Sequence, residues 1–524
     1  MFNLKFIYSK TIIIHLAIIF LVALLYNSTY FILTDVPLRY QLNGDAEVHV
    51  AHWREFSLKE ADIFTKDDMF KFDIRPAGEL FIGKILARAG EFVGLDVLIW
   101  SLILSYISFA ILLVGVYFVV SYSLDSYRVG FWVALGSIIP AYSLGGSSWG
   151  FTPHGFLPRE LALGLAVWLL YLYFYSIKVN SIWHRRLVFL LAGLLANWYP
   201  VLFFHYVAVL ILADIFKSRS IKLEHFLWGL IFIAGAGWAV ADIITKSLSA
   251  SPLNLEIFRQ RFGYMLLDSW DYVFLRYLRR FIIYTVLVAV LYFLFNRKIS
   301  YNEQNRFLKD WYAIFLSSGL LSLLGLYIEN DTTLARLFIS RTSVWFIFSA
   351  MVIIAYIFQA FGGLTIKKFK PLCSPILILI FIGQSMIPTV YRHISELRNS
   401  ASDYKSFIVA MEELKDFVPP SEVILADPNQ AVKIRAYGSR STYVAYKDGN
   451  IALLDGGKAT IWSNRMKEVE AVMESGDLGR VNKFALDHKI KYFLFDNRMF
   501  PNFTNWKGNI LFSSGAYVLA QASN

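Results

Sequence analysis

Apolar segments of about 20 residues recur along the chain, and they constrain its fold more than any other feature. A helix of that length crosses the roughly 30 Å hydrocarbon core of a bilayer. No small-residue cleavage site follows the first segment, Thr11–Leu33, so we interpret it as a retained helix rather than a signal peptide. About ten further candidate spans follow: Val97–Val120, Val129–Gly145, Glu160–Ser176, Leu187–Trp198, Val201–Phe216, Phe226–Ile244, Phe281–Phe295, Trp311–Ile328, Thr342–Phe361 and Leu372–Val390. The sequence thus predicts a polytopic α-helical membrane protein with about eleven transmembrane helices.

The composition agrees with a membrane protein and argues against nucleic-acid binding. Hydrophobic residues make up 57% of the 524 positions and charged residues 17%. Soluble domains are about 45–50% apolar and 25% charged. The net charge of +11 forms no stripe, because basic residues stand in short clusters between apolar segments, such as 217–222 and 367–370. The single cysteine, Cys373, excludes an internal disulfide framework and a cysteine-based metal site.

The basic clusters orient the chain. With the N-terminus in the cytoplasm, every predicted inside loop is basic, as the positive-inside rule requires. We therefore predict a transmembrane domain over residues 1–392, with an outside loop over 34–96 that carries juxtamembrane helices. Residues 393–524 are predicted to form an α/β domain on the outer, periplasmic side of a bacterial-type inner membrane. Its strand candidates are Glu422–Ala426, Thr442–Tyr446, Lys491–Phe495, Ile510–Ser513 and Ala516–Ala520.

The outside loop begins with a polar stretch at Gln41–Phe56, QLNGDAEVHVAHWREF. Asp45 follows a turn and is a candidate helix N-cap. If a helix starts there, Asp45, His49 and His52 fall at i, i+4 and i+7 and share one face. The pattern indicates either a functional acid–imidazole cluster at the membrane surface or a solvated helix face with an ordinary cap.

Basic residues also cluster in the predicted outer domain. Arg435, Tyr437, Arg440 and Lys447 are candidates for binding an anionic glycan or a lipid head group. The alternative interpretation is a solvated basic edge, because such charges usually lie at the surface. The domain shows no glycine-rich phosphate loop, nucleophile elbow or zinc spacing.

The layout resembles the GT-C superfamily of polyprenol-phosphate-dependent membrane glycosyltransferases, as a bacterial member. The resemblance covers nearly the whole chain: one helix, a long outside loop with an acidic motif, further helices, and an outside α/β domain. The segments that carry it are Asp45-Ala46-Glu47, FDIRPAGELFIGKILA at 72–87, Gly155–Glu160, Asn197-Trp198-Tyr199-Pro200 and Arg336–Arg341. The acidic motif departs from the commonest pairs of the family. The resemblance therefore leaves the metal open, with Asp45 and Glu47 as ligands if a divalent cation binds.

The resemblance implies transfer of a sugar from a polyprenyl-phosphate donor to a glycan, lipid or protein acceptor on the outer face, with inversion. Such a transfer needs a carboxylate to accept the acceptor's proton, and Asp45 or Glu47 is the candidate, with Asp73 next. It also needs cations for the phosphate, and arginine binds phosphate bidentately. The candidates for donor phosphate or sugar are Arg159, Arg259, Arg336, Arg341 and His154. Interfacial arginines that anchor helices, and an ordinary loop histidine, are the alternatives.

Two other classes of function stay open. One is a glycolipid transporter or flippase, which usually shows ionisable residues within its spans and internal repeats. Four ionisable residues lie in or near spans, but no repeat is visible: His15, His205, Asp214 and Asp242. The other is a non-catalytic membrane scaffold whose outer domain binds glycan.

Overall fold

The computed structural model describes residues 10–34, 38–40, 42, 44–57, 63–71, 75–142, 144, 148–151, 153–252, 254–263, 278–295, 307–329, 337–364, 404–500, 506 and 508–523. The described chain is mostly helical. Its helices are α1 Lys10–Thr34, α2 Gly44–Phe56, α3 Ala77–Val93, α4 Val97–Ser123, α5 Tyr127–Gly136, α6 Pro158–Lys178, α7 Ile182–Ala196, α8 Pro200–Ser218, α9 Leu223–Gly235, α10 Gly237–Ser249, α11 Leu255–Phe262, α12 Arg279–Phe295, α13 Leu308–Ile328, α14 Ser343–Leu364, α15 404–417, α16 Pro428–Gly438, α17 Gly456–Glu474 and α18 Leu478–Asp487. Short 3-10 helices cover Leu38–Tyr40, Ile339–Thr342, Tyr446–Leu453 and Asn497–Met499.

Six helices in the described part of the chain are long and apolar enough to cross a membrane, or seven if a bent pair is one span. The six are Lys10–Ser28, Val97–Ser123, Pro158–Lys178, Pro200–Ser218, Leu308–Ile328 and Ile339–Ala360. The pair is α9 and α10, which meet at an angle of 73°. The predicted count of eleven is therefore not confirmed, and the predicted span Leu372–Val390 lies outside the described residues.

Three predicted spans take a different form. The predicted span Val129–Gly145 holds most of α5, which stops at Gly136, and then a two-residue strand, β1 Ala141–Tyr142. This strand pairs antiparallel with β2 Ser148–Trp149. Pro140 precedes that strand, and a proline cannot donate the hydrogen bond that would continue a helix. The other two, at Leu187 and Phe281, correspond to α7 and α12, which are 15 and 17 residues long.

Small residues let the apolar helices pack closely. A Cβ at Gly164 of α6 would lie 3.2 Å from the backbone nitrogen of Leu112 in α4. A Cβ at Gly193 of α7 would lie 2.3 Å from the carbonyl oxygen of Phe232 in α9. Lipid chains are as apolar as leucine, so helices in a membrane associate through such close van der Waals contact rather than through hydrophobic burial.

The C-terminal region contains a five-stranded sheet in the order β4-β3-β5-β7-β6. Its strands are β3 Val423–Leu425, β4 Ser441–Thr442, β5 Tyr492–Asp496, β6 Asn509–Ser514 and β7 Tyr517–Gln521. β3 pairs in parallel with β4 and β5, whereas β7 pairs antiparallel with β5 and β6. All five strand candidates from the sequence thus overlap an observed strand.

The two faces of this sheet pack against elements from the first half of the chain. On one face, Ile257, Phe258 and Phe262 of α11 join the core that contains Phe493 of β5. On the other face, Ala46 and Val50 of α2 join a core with residues of α15 and α16. The C-terminal region therefore shares its hydrophobic cores with α11 and with α2 of the predicted outside loop, and this packing places α2 beside it.

Candidate active site

A cavity of about 330 Å³ lies where α2, the first turns of apolar helices and the C-terminal region meet. Six basic and three acidic residues line it, and they are Arg75, Arg159, Arg261, Arg341, Arg435, Lys447, Asp45, Glu79 and Asp448. The remaining wall includes His49, His52, Tyr199 and several apolar side chains. With neutral histidines, the cavity carries an excess of positive charge, as expected of a site for an anionic ligand.

Helix α2 supplies the acid–imidazole cluster that its spacing predicts. Asp45, His49 and His52 all line the cavity, because i, i+4 and i+7 lie on one face of a helix. The helix begins at Gly44, so Asp45 stands inside the first turn and not at the predicted N-cap position. His49 Nδ1 lies 3.8 Å from Glu79 Oε1, and His52 stacks on Phe70 with ring centroids 4.0 Å apart.

The carboxylate of Asp45 lies between two cations. Lys447 Nζ donates to Oδ1 at 2.5 Å, and Arg159 lies 3.3 Å from Oδ2. The Asp45 side chain is 42% exposed, within the cavity. Burial in the protein would raise the pKa of Asp45, but the charges of Lys447 and Arg159 outweigh that effect and lower the pKa below its ordinary value. Asp45 is therefore ionised at neutral pH.

A glycine brings the loop before α6 against α2. Gly155 has φ of +92°, a left-handed conformation that favours glycine. A Cβ there would lie 2.7 Å from the Cβ of Ala46. Because the backbone comes this close, the following turn places Arg159 within reach of Asp45.

Three apolar helices begin at the cavity. Pro158 and Pro200 each occupy the first turn of a helix, where a missing N–H costs nothing, so α6 and α8 start at these points. Arg159 and Tyr199 stand at these starts, and Arg341 stands at the start of the span Ile339–Ala360. Helix N-termini carry partial positive charge, which adds to that of the two arginines.

A buried carboxylate holds Arg341 in position. Glu329 accepts hydrogen bonds from the backbone N–H and the hydroxyl of Ser340, at 2.7 and 2.6 Å. Phe338 has φ of +47°, and the guanidinium of Arg341 stacks over its ring at 3.9 Å. These contacts fix the short 3-10 helix that presents Arg341 to the cavity.

A second, smaller cleft of about 60 Å³ adjoins the first. Arg159, Tyr199 and Arg341 line both. The other walls of the second cleft belong mainly to the first turns of α6, α8 and α14. Apolar side chains predominate among them, but Glu160, His205 and Ser148 also line the cleft. The two arginines thus stand between a polar cavity and a more apolar cleft among the first turns of membrane-spanning helices.

The predicted basic edge of the C-terminal region is not a solvated surface. Arg435 is buried and donates to Asp67 and to Asp448, with its shortest contacts at 2.8 and 2.6 Å. Arg440 is buried and donates to backbone carbonyl oxygens, including that of Val418 at 2.5 Å. Buried charges need such partners. The long-range contacts that supply them, such as the one from Asp67, cannot be read from local sequence.

Glu47 lies on the other face of α2, outside the cavity. It is 2% exposed, and Tyr437 donates its hydroxyl hydrogen to Glu47 Oε1 at 3.1 Å. Burial raises the pKa of Glu47 to about 7, although Lys433 and the hydrogen bond from Tyr437 act in the opposite direction. The two acidic side chains of the Asp45-Ala46-Glu47 motif therefore lie in different environments.

The other predicted site residues are more scattered. Arg259 is exposed on α11, and His154 is half-buried in the loop before α6; neither lines the cavity. Arg336 and Asp73 lie outside the described residues. Sequence reasoning did not select Arg75, Glu79, Tyr199 or Arg261, which do line the cavity. Arg75, Glu79 and Tyr199 stand inside segments that the sequence did single out, and Arg261 stands two residues from Arg259, but proximity in sequence does not tell which side chain turns inward.

The arrangement does not fit a divalent cation held by Asp45 and Glu47. Calcium takes six to eight oxygen ligands, and magnesium requires near-octahedral oxygen geometry. Lys447 and Arg159 contact the two oxygens of Asp45, and Glu47 faces Tyr437 instead. In the part of the chain that the structure describes, no group of three histidine, cysteine, aspartate or glutamate residues is arranged to hold a metal ion.

Comparison with known proteins finds similarity at the level of structure. No protein-family model and no curated protein matches the chain. AglB, an oligosaccharyltransferase from Archaeoglobus fulgidus, is similar in its complex with an inhibitory peptide and a dolichol-phosphate, with a TM-score of 0.47 and 12% identity over 93% of this chain and 69% of that chain. An oligosaccharyltransferase from Archaeoglobus fulgidus in the apo form gives a TM-score of 0.47 and 12% identity over 93% of this chain and 70% of that chain.

Proposed function

We propose that the protein is a membrane glycosyltransferase of the GT-C kind that takes its sugar from a lipid-phosphate donor. One observation carries the proposal. A single cavity joins an ionised carboxylate, Asp45, to two arginines, Arg159 and Arg341, that stand at the starts of membrane-spanning helices. A carboxylate and a phosphate clamp are the two parts that glycosyl transfer from a lipid phosphate needs.

The donor is a polyprenyl-phosphate-linked sugar in this proposal. Its phosphate meets Arg159 and Arg341, whose planar guanidinium groups bind phosphate oxygens bidentately. The apolar cleft beneath the arginines accepts the first part of the lipid chain, and the sugar extends into the larger cavity toward Asp45. This placement matches a molecule with an apolar tail, an anionic joint and a polar head.

In the chemical step, the acceptor oxygen forms a bond to the anomeric carbon, and the bond from that carbon to the phosphate oxygen breaks. The acceptor's proton passes to the carboxylate of Asp45, and the electron pair leaves with the lipid phosphate. Arg159 and Arg341 stabilise the negative charge that grows on the phosphate. Attack from the side opposite the phosphate inverts the anomeric configuration. No step is routed through a metal ion.

The ionisable residues in or near the spans have partners, which gives the transporter alternative no structural support. His15 Nδ1 contacts the hydroxyl of Tyr117 at 3.2 Å, and His205 Nε2 contacts the carbonyl oxygen of Leu337 at 2.9 Å. Asp214 and Asp242 form ion pairs with His225 and Lys246. Residues on a transport path would instead line a cavity, and none of these except His205 lines a described cleft.

The phosphate clamp is tested with the full-length protein in lipid nanodiscs. Arg341→Lys and Arg159→Lys retain the charge but lose the bidentate fork. Each change should weaken binding of a short-chain polyprenyl-phosphate sugar by about 10-fold or more, because charge-assisted hydrogen bonds contribute about 1.5–3 kcal/mol. Dissociation constants measured with a radiolabelled donor provide the readout.

An exposed arginine outside the cavity supplies the control. Arg259→Lys should leave donor binding unchanged, because the structure places Arg259 on the exposed face of α11. Donor affinity that is equal in the unsubstituted protein, both single variants and their double variant would assign Arg159 and Arg341 to helix anchoring. The phosphate clamp would then be wrong.

We further propose that the C-terminal region and the cavity face the outside of the cytoplasmic membrane, as the positive-inside pattern predicts. A reporter enzyme that works only in the cytoplasm, fused after Asn524, should be inactive. An active reporter would mean that the C-terminal region, and the cavity with it, faces the cytoplasm.

A further inference from the structure

Arg261 is a buried cation in the cavity wall whose role the proposed transfer reaction leaves open. It is 4% exposed and lines the cavity from α11. Its guanidinium stacks over the rings of Phe262 and Tyr446 at 4.9 and 4.6 Å, and it donates to Asn450 Oδ1 at 2.7 Å. Its Nε has no hydrogen-bond acceptor among the described residues.

This arrangement is costly without a ligand. A buried charge is strongly disfavoured unless a countercharge or a full set of hydrogen bonds compensates it. No carboxylate of the described chain forms an ion pair with Arg261, whereas the neighbouring Arg435 contacts both Asp67 and Asp448. Among the described residues, Arg261 therefore lacks the carboxylate partners that Arg435 has, and it stands in the wall of a cavity.

Arg261 belongs to a different part of the fold from the two arginines of the phosphate clamp. Arg159 and Arg341 stand at the starts of membrane-spanning helices. Arg261 belongs to α11, which packs into the core of the C-terminal sheet, and its partner Asn450 lies in the 3-10 helix Tyr446–Leu453. Lys447 of the same 3-10 helix contacts Asp45. Asp45 thus forms ion pairs with Arg159, at the start of a membrane-spanning helix, and with Lys447, in the C-terminal region.

The packing of α11 keeps Arg261 fixed. Ser463 of α17 donates to Gln260 at 2.8 Å, and a Cβ at Gly456 would lie 1.8 Å from the carbonyl oxygen of Pro252. Arg261 is therefore presented by a rigid element, so the side chain loses little freedom when it binds a ligand.

We propose that Arg261 and Asn450 form a subsite in the cavity wall that selects a sugar carrying an anionic group, a carboxylate or a phosphate ester. The guanidinium supplies the charge, the rings of Phe262 and Tyr446 flank it, and the amide of Asn450 orients it. This subsite rests on the proposed glycosyl transfer for its biological use, but its ligand preference can be measured without any transfer.

The test uses the full-length protein in nanodiscs and three soluble probes: methyl β-glucuronide, methyl β-glucoside and glucose 6-phosphate. Binding is measured by ligand-observed NMR. The unsubstituted protein should bind at least one anionic probe more tightly than the neutral glucoside, and the stronger of the two identifies carboxylate or phosphate. Arg261→Gln should reduce this preference about 10- to 100-fold, the usual range for a charged hydrogen-bonding pair.

Two further variants separate recognition from structure. Arg261→Lys retains the charge and should keep part of the preference, whereas Arg259→Gln changes an exposed charge on the same helix and should keep all of it. A change that merely loosened α11 would weaken the neutral and anionic probes together. The ratio of the two affinities is therefore the deciding readout.

Three outcomes would overturn the subsite. They are equal binding of all three probes by the unsubstituted protein, a preference that survives Arg261→Gln, and a preference that disappears in Arg341→Gln instead. The last result would place the anion on the phosphate clamp. A preference that depends on Arg261 in a protein that transfers no sugar from any lipid donor would refute the proposed function and leave the subsite standing.

Discussion

Two carboxylates on opposite faces of α2, only two residues apart, have pKa values that are shifted in opposite directions. Asp45 faces a polar cavity, where Lys447 and Arg159 lower its pKa and keep it ionised. Glu47 faces a packed interface, where burial raises its pKa to about 7 and Tyr437 is its hydrogen-bond donor. The difference shows that the acidic motif is not one functional unit, because its members belong to separate environments on opposite sides of a helix.

The comparison also separates two tasks. Asp45 is held ionised in a space that can admit substrate, as a proton acceptor must be. Glu47 joins α2 to α16 of the C-terminal region through Tyr437, and Arg54 does the same through the carbonyl oxygen of Ala436 at 2.7 Å. In the proposed reaction, one face of α2 thus carries the chemistry, and the other face packs against the C-terminal region.

The largest expected effect separates the two carboxylates by activity. Asp45→Asn preserves shape but removes the proton acceptor, so transfer from a lipid-linked donor should fall about 10²- to 10⁴-fold while donor binding survives. Glu47→Gln should retain most of the activity, since Glu47 does not line the cavity. The measurement is the transfer rate at saturating donor. A near-normal rate for Asp45→Asn with an inactive Glu47→Gln would exchange the two roles.

The next largest effect distinguishes Glu47 from Asp45 by the pH dependence of the protein's stability. Glu47 has a pKa of about 7 when folded, against 4.5 as its ordinary value, so the folded state binds the proton more tightly. This contribution is fully present below about pH 4.5 and is lost as pH rises through about 7. It is on the order of 3 kcal/mol. The melting temperature in detergent should therefore fall between pH 5 and pH 8, and Glu47→Gln should flatten that slope.

Asp45→Asn provides the contrast for this measurement. Because the pKa of Asp45 is lowered, Asp45 is ionised in both folded and unfolded protein across that interval. The slope should therefore match that of the unsubstituted protein. If Glu47→Gln left the slope unchanged, another group would be the source of the pH dependence.

The smallest effect concerns the cations that face each carboxylate. Lys447→Gln removes the closer cation from Asp45, so the pKa of Asp45 should rise toward its ordinary value. The acidic limb of the pH–rate profile should then move up by about one pH unit or more. Lys433→Gln, on the Glu47 side, should leave that limb in place. Equal shifts in both variants would mean that the limb belongs to a group other than Asp45.

Much of the fold follows from local sequence. The apolar lengths predict membrane-spanning helices, and the alternation with turns predicts the strands of the C-terminal sheet. The one-face spacing of Asp45, His49 and His52 predicts that they share the cavity, since helical periodicity is a local property. The predicted count of eleven spans is not confirmed. The bend between α9 and α10 and the early end of α5 depend on how neighbouring segments pack, and Leu372–Val390 lies outside the described residues.

By itself, the sequence determined the membrane class, the helical start at Gly44 to within one residue, and the arginines at the starts of apolar helices. Only the tertiary structure decided that Lys447 reaches Asp45 across 402 positions, that Arg435 is buried with Asp67, and that Arg261 rather than Arg259 turns inward. The length of an apolar segment and the periodicity of a helix depend on residues within a few turns of one another, so they can be read from local sequence. Ion pairing and burial depend on distances in space, and these are set when distant segments pack around α2.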